Sequence, residues 1–339
     1  MPVRFPRASR SLGRAGLAAI LAVTVALCTG CIKPKITLFG DGSEPLEEYT
    51  LEGKGNDKVL LLSIKGFIGE GSKGGLLASK QSMVQEVAAQ LKKAREDKAV
   101  KGLLLKVDSP GGSVTASDLL YHEILRFKEE KKLRVVAILM GTAASGGYYV
   151  SLPADRIVAH PTTVTGSVGV ISVIPKVSGM MEKLGLEVEV DKHGRNKDMG
   201  SPFRRSTPDE KRILEGLVDG LGNRFMQLVS QHRKLSPELL SDVSTARIYL
   251  AEEALQVGLV DEIGYIDDGL KQVKKLAEID KDAKLVVYRR HENPEDTIYH
   301  SGAADLPASA RLLDLGIIVP LSSLRSGLYY LWLPGYEND

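Results

Sequence analysis

Short apolar runs that alternate with segments of helical spacing constrain the fold of this chain more than any other feature. Residues 59–64, 102–107 and 135–140 are continuous apolar runs of strand length. Between them, residues 84–94 and 119–127 repeat apolar side chains three and four positions apart, as amphipathic helices do. This order of strands and helices predicts an α/β fold, in which a parallel sheet carries helices on both faces.

Two loops of unusual composition follow strands of the predicted sheet. Residues 108–112 read Asp-Ser-Pro-Gly-Gly, and residues 141–147 read Gly-Thr-Ala-Ala-Ser-Gly-Gly. Open α/β sheets bind ligands at the carboxyl ends of their strands, which is where both loops are expected to lie. The second loop holds Ser145 among small residues at a strand-to-helix turn. That is the setting of an exposed nucleophile, so the sequence predicts a site at these loops.

A serine nucleophile needs an adjacent base to take its proton. None of the six histidines belongs to a recognisable Ser-His-Asp signature, although a catalytic histidine stays open because triads are defined by geometry. Lysine does the same work when burial disfavours its charged form, and Lys197 is a candidate. Taken alone, Lys197 is a solvated surface lysine. The sequence has no P-loop and no metal-ligand spacing, so we predict no cofactor and no metal.

Four motifs in a fixed order carry a family resemblance. They read DSPGGSV at 108–114, AASGGYY at 143–149, TGSVGV at 165–170 and KDMGSPFR at 197–204. Together they resemble the signal peptide peptidase A family, bacterial membrane-bound Ser/Lys proteases of family S49, in its short single-copy form. The resemblance covers about residues 56–275, and it implies a crotonase-like (ClpP/crotonase) α/β fold.

The resemblance also implies a role for particular residues. Ser145 matches the nucleophile, Lys197 the general base, and Ser167 the serine whose hydroxyl holds the lysine amine. The backbone N–H groups of Gly112 and Gly146 match the oxyanion hole. Other interpretations stay open: both glycine pairs also suit tight turns or close packing, and Ser167 suits a turn in which its hydroxyl bonds its own backbone.

The family's substrates and assembly follow from the same resemblance. It implies cleavage of remnant signal peptides and other unfolded peptides within apolar stretches. It also implies a homo-oligomeric ring in which Ser145 of one subunit meets Lys197 of the next. Two alternatives are a catalytically inactive lipoprotein that captures peptides and a protein of the same fold that binds an acyl thioester.

The N-terminus is typical of an export signal. Four arginines precede an apolar run at 15–27, and no acidic residue occurs before Asp41. Small residues then precede Cys31, as at a lipoprotein cleavage site, although Cys28 stands where leucine is usual. We expect lipidation at Cys31 and a location on the extracytoplasmic side of a bacterial membrane, most simply the inner membrane facing the periplasm. An ordinary signal peptide or an uncleaved anchor is the alternative.

These features divide the chain into four parts. Residues 1–30 are predicted to be a lipoprotein signal peptide, 31–57 a membrane tether, 58–290 the peptidase domain and 291–339 a C-terminal tail of uncertain role. Removing the signal peptide takes away four arginines and no acidic residue, which changes the formal net charge from +2 to −2. A nucleic-acid partner is therefore not predicted.

The aromatic cluster at 329–332 suits a lipid interface, a neighbouring subunit or core packing.

Overall fold

A computed structural model describes residues 44–70, 73–75, 78–293, 296–299 and 326–332. The predicted signal peptide, Cys31 and most of the predicted C-terminal tail lie outside the described residues. Within the described part of the chain, no helix combines the length and the apolar character needed to cross a bilayer.

Strands and helices alternate through the body, as the sequence predicts. The strands are β1 (Glu47–Glu52), β2 (Lys58–Lys65), β3 (Lys73–Gly75), β4 (Ala78–Lys80), β5 (Val100–Ser109), β6 (Gly111–Ser113), β7 (Arg134–Ala144), β8 (Arg156–Ala159), β9 (Val164–Gly166), β10 (Ile171–Val173), β11 (Ile248–Leu250), β12 (Glu262–Ile263), β13 (Lys284–Arg289) and β14 (Gly327–Leu331). The helices are α1 (Met83–Glu96), α2 (Val114–Lys131), α3 (Gly146–Tyr149), α4 (Ser178–Leu184), α5 (Pro208–Arg233), α6 (Pro237–Val243), α7 (Ala251–Gln256) and α8 (Ile266–Leu276).

The main sheet has the strand order β1-β13-β2-β5-β7-β8-β12. From β13 to β12 every neighbouring pair is parallel, whereas the edge strand β1 is antiparallel to β13. The long strand β7 pairs with β8 along its first half and with β9 near its end, where Ala144 lies opposite Gly166. The predicted parallel sheet is therefore confirmed, and the end of β7 is held on a second strand.

Helices cover both faces of this sheet. On one face, Leu60, Leu62 and Ile64 of β2 belong to the same buried cluster as side chains of α1 and α2. On the other face, Val59 and Leu61 pack with residues of α8. Since β2 is buried on both sides, it reads as a continuous apolar run instead of an alternating one.

The predicted tether, residues 31–57, contains a strand of the main sheet. Strand β1 pairs with β13 antiparallel, with Tyr49 opposite Val287. Its sequence is EEYTLE, and most of its side chains are exposed because it forms an edge of the sheet. Because a polar edge strand has no apolar run, the sequence did not indicate β1, and the predicted tether at 31–57 therefore included this strand.

A second, three-stranded antiparallel sheet has the order β10-β14-β6. Its central strand, β14, comes from the predicted tail and lies between two strands that precede it by more than 150 residues. Tyr330 is opposite Gly112 of β6, and Tyr329 is opposite Ile171 of β10. Tyr329, Tyr330 and Leu331 are buried. Of the three settings considered for this aromatic cluster, the structure therefore shows packing within the chain.

Candidate active site

Ser145 lies at the junction of β7 and α3 with a strained backbone. Its N–H donates to the carbonyl oxygen of Gly166 at 2.8 Å, which continues the pairing of β7 with β9. Its backbone has φ 52° and ψ −115°, a conformation that costs a non-glycine residue about 1–3 kcal/mol. The residue is 1% exposed, and its hydroxyl lies 3.5 Å from the carbonyl oxygen of Gly169. Strain of this kind concentrates at functional turns.

The glycine loop that ends β5 is held tightly by hydrogen bonds and close approaches. The Ser109 hydroxyl donates to the carbonyl oxygen of Gly66 at 2.6 Å and accepts from the N–H of Gly111 at 3.0 Å. A Cβ added to Gly112 would lie 1.9 Å from the carbonyl oxygen of Ile68. Because only glycine fits there, the backbone at Ile68 can pass this close to Gly112 of β6.

The two predicted oxyanion donors belong to segments that lie against each other. A Cβ added to Gly111 would lie 2.7 Å from the backbone nitrogen of Gly146. Gly146 is the first residue of α3, where an N–H group has no acceptor within the helix. The structure thus brings the loop of Gly112 and the turn of Ser145 and Gly146 together at one end of the sheet.

The carbonyl oxygen of Tyr330 lies between these two segments. The N–H of Trp332 donates to the Pro110 carbonyl oxygen at 2.9 Å. Since hydrogen-bonded pairs alternate along antiparallel strands, Gly112 and Tyr330 form the next such pair. A Cβ added to Gly146 would lie 3.0 Å from the same Tyr330 oxygen. The Tyr330 carbonyl oxygen therefore lies against both the β6 segment and the turn of Gly146.

The side chain of Tyr330 fills a pocket beside Ser145. It is fully buried, and its ring stacks on Tyr149 at a centroid distance of 4.9 Å and an interplanar angle of 24°. Phe225 of α5 closes the pocket at 4.9 Å from the Tyr330 ring. The Tyr330 hydroxyl donates to the carbonyl oxygen of Leu221 at 3.0 Å, and burial raises the pKa of this phenol to about 12. The pocket is thus apolar around the ring and polar at its far end.

An ion pair fixes the wall of this pocket. The Tyr149 hydroxyl donates to Asp118 of α2 at 2.6 Å, and the Arg224 guanidinium donates to the same carboxylate oxygen at 2.6 Å. Burial, followed by the hydrogen bond to Asp118, raises the pKa of Tyr149 well above its usual range. The sequence carried no signal for Asp118, Arg224 and Phe225, which are distant along the chain and belong to none of the four motifs, and it assigned no role to Tyr149 within the motif at 143–149.

Lys197 lies in an exposed loop between α4 and α5. Its ammonium makes no hydrogen bond or ion pair with any residue that the structure describes. The adjacent Asp198 accepts from the Arg204 Nε at 2.7 Å, and Arg204 also donates to Glu210 at 2.9 Å. These hydrogen bonds from Arg204 hold the pKa of Asp198 below its usual range and lower that of Glu210 to about 2. The loop is anchored to the first turn of α5, but the single chain does not join Lys197 to Ser145.

Ser167 directly follows Gly166, the last residue of the short pairing between β7 and β9. It has a positive φ of 49°, and its N–H donates to the carbonyl oxygen of Arg247 at 2.8 Å. Its hydroxyl, in a residue 9% exposed, forms no hydrogen bond with the described residues. The alternative interpretation of Ser167 required its hydroxyl to bond its own backbone, and the structure shows no such hydrogen bond among the described residues. No histidine in the described ranges hydrogen-bonds to Ser145.

Known proteins are similar to this chain over most of its body. The profile of Peptidase family S49 matches residues 127–280, and that of Clp protease matches residues 77–163. A putative signal peptide peptidase SppA from Enterococcus faecium is 35% identical over 279 residues, covering 80% of this chain and 80% of the relative. A putative protease from Methanocaldococcus jannaschii is 40% identical over 198 residues, 58% of this chain and 63% of the relative. A ClpP1 mutant from Listeria monocytogenes is 20% identical and covers 62% of this chain and 94% of its own, with a TM-score of 0.40.

The parallel sheet with helices on both faces, together with the Clp protease match, defines an α/β protein of the ClpP/crotonase-like fold. The S49 match and the protease relatives make it a serine-type peptidase. The chain belongs to peptidase family S49.

Proposed function

We propose that this protein is a membrane-anchored endopeptidase that uses Ser145 and Lys197 to degrade remnant signal peptides and other unfolded peptides. The observation that carries the proposal is the strained turn of Ser145 beside two glycine segments, with a peptide carbonyl oxygen lying between them. A peptide in this position can be attacked and its developing charge can be stabilised. The substrate class is supported by the relative named as a signal peptide peptidase.

In the proposed reaction, the Ser145 hydroxyl attacks the peptide carbonyl while the neutral amine of Lys197 takes the hydroxyl proton. The oxyanion accepts hydrogen bonds from the N–H groups of Gly112 and Gly146, each worth a few kcal/mol in the transition state. Lys197 then protonates the leaving amine. A water molecule deacylates Ser145 by the reverse proton transfers. Ser167 is the proposed partner that orients the Lys197 amine.

The proposal places Lys197 in the site of a neighbouring subunit. The loop that carries Lys197 is exposed and adjoins an apolar surface, which we call the α4 patch, formed by Met180, Leu184, Leu186, Val188 and Val190. Each of these side chains is at least 47% exposed. Several exposed apolar side chains in one stretch of chain suit an interaction site. A second copy of the chain that covers the α4 patch would bring Lys197 to a site outside its own subunit, within a ring.

The anchor rests on the N-terminal sequence. Cleavage before Cys31 and lipidation of its thiol would place the body on the extracytoplasmic side of the membrane, where remnant signal peptides are found. Mass analysis of the mature N-terminus should find a diacylglycerol on Cys31. An unmodified N-terminus at another position would contradict this part of the proposal.

Two single substitutions test the chemistry. We expect Ser145→Ala and Lys197→Met each to reduce cleavage of an unfolded peptide by on the order of 10⁴-fold, because nucleophile and base act as a unit. Reaction with a serine-directed active-site probe should fall in both variants. Lys183→Met is the matched control, since Lys183 is another exposed lysine of the same region.

Assembly and secondary structure should be unchanged in both variants, as measured by light scattering and circular dichroism. Full peptidase activity in either variant would refute the dyad. Wild-type protein that binds an acyl thioester but cleaves no peptide would favour the alternative of a non-proteolytic protein of this fold.

A further inference from the structure

Strand β7 contains a bulge shortly before Ser145. Between the paired residues Val107 and Ser109, β5 has the single residue Asp108, whereas β7 has residues 140–142. At the same place β7 leaves β8 and begins to pair with β9. Bulges bend a strand and redirect the side chains that follow, and they are frequent beside active sites. The bulge therefore sets the direction from which β7 enters the turn of Ser145.

The carboxylate of Asp108 holds the bulge from the side of β5. Its Oδ1 accepts from the N–H of Thr142 at 3.1 Å, and a Cβ added to Gly141 would lie 3.5 Å from the same oxygen. The carboxylate thus satisfies a backbone donor within the bulge. Gly141 is exposed and Thr142 is half-buried. Water can therefore reach this donor when the carboxylate is removed, which loosens the bulge without leaving a buried donor unpaired.

Two threonine hydroxyls hold the bulge from the other side. Thr163 is fully buried, and its Oγ1 lies 2.9 Å from the carbonyl oxygen of Leu139 and 2.6 Å from that of Met140. Both oxygens are within hydrogen-bond distance of the hydroxyl. Two residues further on, the Thr165 hydroxyl donates to the carbonyl oxygen of Ala143 at 2.6 Å. Side chains on both sides of β7 therefore bind its backbone throughout the bulge.

The bulge is closely coupled to Ser145. The two residues between Thr142 and Ser145 are buried and lie opposite residues of β9. The backbone of Ser145 has a φ of 52°, and strain of this kind persists only where the surrounding structure enforces it. A shift of the bulge therefore moves the turn of Ser145, and with it the hydroxyl that is proposed to attack the peptide.

We propose that Asp108 and Thr163 are positioning residues for peptide cleavage, which hold the β7 bulge so that Ser145 keeps its angle of attack. The inference rests on the proposed function, since both side chains act through Ser145. A misplacement of about 1 Å that originates away from the reacting atoms costs on the order of 100-fold in rate. Loss of either contact should therefore lower kcat and leave KM nearly unchanged, because the contact is not made to the substrate.

Substitutions at Asp108 test the first contact. Asp108→Ala should lower kcat for an unfolded reporter peptide by on the order of 100-fold, with KM within about threefold of wild type. The rate at which a serine-directed probe labels Ser145 should fall with kcat. Asp267→Ala is the control, because Asp267 is an exposed carboxylate of α8. Wild-type kcat and labelling in folded Asp108→Ala would overturn the role of Asp108.

Two conservative variants separate geometry from charge. Asp108 lies opposite Lys65 of β2, and both side chains act electrostatically on the buried Lys106. Asp108→Asn removes the charge and keeps an oxygen acceptor, so kcat should return to within about tenfold of wild type. Asp108→Glu keeps the charge and displaces the acceptor by one methylene, so kcat should fall. An Asn variant as slow as Asp108→Ala, or a Glu variant with wild-type kcat, would overturn the inference.

Thr163 gives a second test on the other side of the bulge. Thr163→Val keeps the shape of the side chain and removes the hydroxyl, which should lower kcat by on the order of tenfold because a carbonyl oxygen loses its donor. Thr163→Ser keeps the hydroxyl and should restore kcat. Thr162→Val is the matched control, since Thr162 is exposed. Equal kcat in Thr163→Val and Thr162→Val would overturn the role of Thr163.

Folding and the proposed function are checked alongside the kinetics. Circular dichroism and light scattering of the full chain establish that each variant folds and assembles as wild-type protein does. If Asp108→Ala does not fold, the Asn and Glu variants still decide the role of Asp108. Wild-type protein that neither cleaves the reporter nor is labelled at Ser145 would overturn the proposed function together with this inference. Active wild-type protein with equally active position-108 and position-163 variants would overturn the inference alone.

Discussion

The backbone of Ser145 stores strain that a different residue would release. Its φ of 52° and ψ of −115° mirror the ordinary extended region, which glycine adopts freely and other residues do not. We therefore expect Ser145→Gly to be more stable than Ser145→Ala by about 1–3 kcal/mol, although both variants lose the hydroxyl and the activity. Thermal unfolding at one fixed protein concentration measures the difference, with about 2–4 °C expected per kcal/mol.

A serine within a helix supplies the control, because there the alanine variant is expected to be more stable than the glycine variant. Ser241 is an exposed residue of α6, where glycine should be less stable than alanine by about 1 kcal/mol. If glycine and alanine at position 145 gave equal melting temperatures while position 241 showed the expected difference, the strain at Ser145 would be refuted. A strained serine indicates that the fold stabilises a conformation needed for presenting the hydroxyl.

The sequence predicted the strands and helices that bury apolar side chains on a regular period. The runs at 59–64, 102–107 and 135–140 lie in β2, β5 and β7, and the helical spacings at 84–94 and 119–127 lie in α1 and α2. Ser82 caps α1 and forms a capping box with Gln85. Each of these signals is local, since it depends on periodicity or on side chains within one turn.

Segments that depend on distant partners were not predictable in the same way. Strand β1 is polar, and β14 is a short aromatic segment whose partners, β6 and β10, come from much earlier in the chain. The pocket around Tyr330 likewise joins α3 and α5. The sequence identified the nucleophile through its glycine-rich turn, but periodicity within one segment does not specify which strands pair across the molecule.

The segment after α4 has the pattern of a strand without a partner in its own chain. Leu186, Val188 and Val190 alternate with Glu187 and Glu189, and the structure shows no strand pairing for them within the described residues. Alternation over this length favours a strand with one apolar face. All three apolar side chains are about half exposed, so this face is available to a second copy.

We expect Val188→Asp to weaken assembly, because a charge placed in an apolar interface is costly to bury. Size-exclusion chromatography with light scattering should show smaller particles, and peptidase activity should fall with them. Glu189→Gln, which alters the alternate face of the same segment, is the control and should assemble normally. Unchanged particle size and activity in Val188→Asp would show that the α4 patch is not the interface.

In the single chain, the two residues of the proposed dyad lie apart. Ser145, Gly112 and Gly146 come together at the ends of β7 and β6, whereas Lys197 lies in an exposed loop anchored through Arg204. The sheet fixes the first group rigidly, because β7 is paired on both sides and its turn is buried. Bringing the proposed dyad together requires either a movement of the Lys197 loop within one subunit or the loop of a neighbour.

Mixing two inactive variants separates these possibilities. When Ser145→Ala and Lys197→Met subunits are co-assembled in equal amounts, a site shared between neighbours has an intact serine in half of the cases and an intact lysine in half. Activity should then return to about a quarter of the wild-type value in a closed ring. A site built within one subunit would regain none, because every subunit lacks one of the two residues. The peptidase rate of the mixture, compared with each variant alone and with wild-type protein at the same total concentration, is the measurement. A mixture as inactive as its components, despite light scattering that shows mixed assemblies, would place Lys197 in the same subunit as its serine.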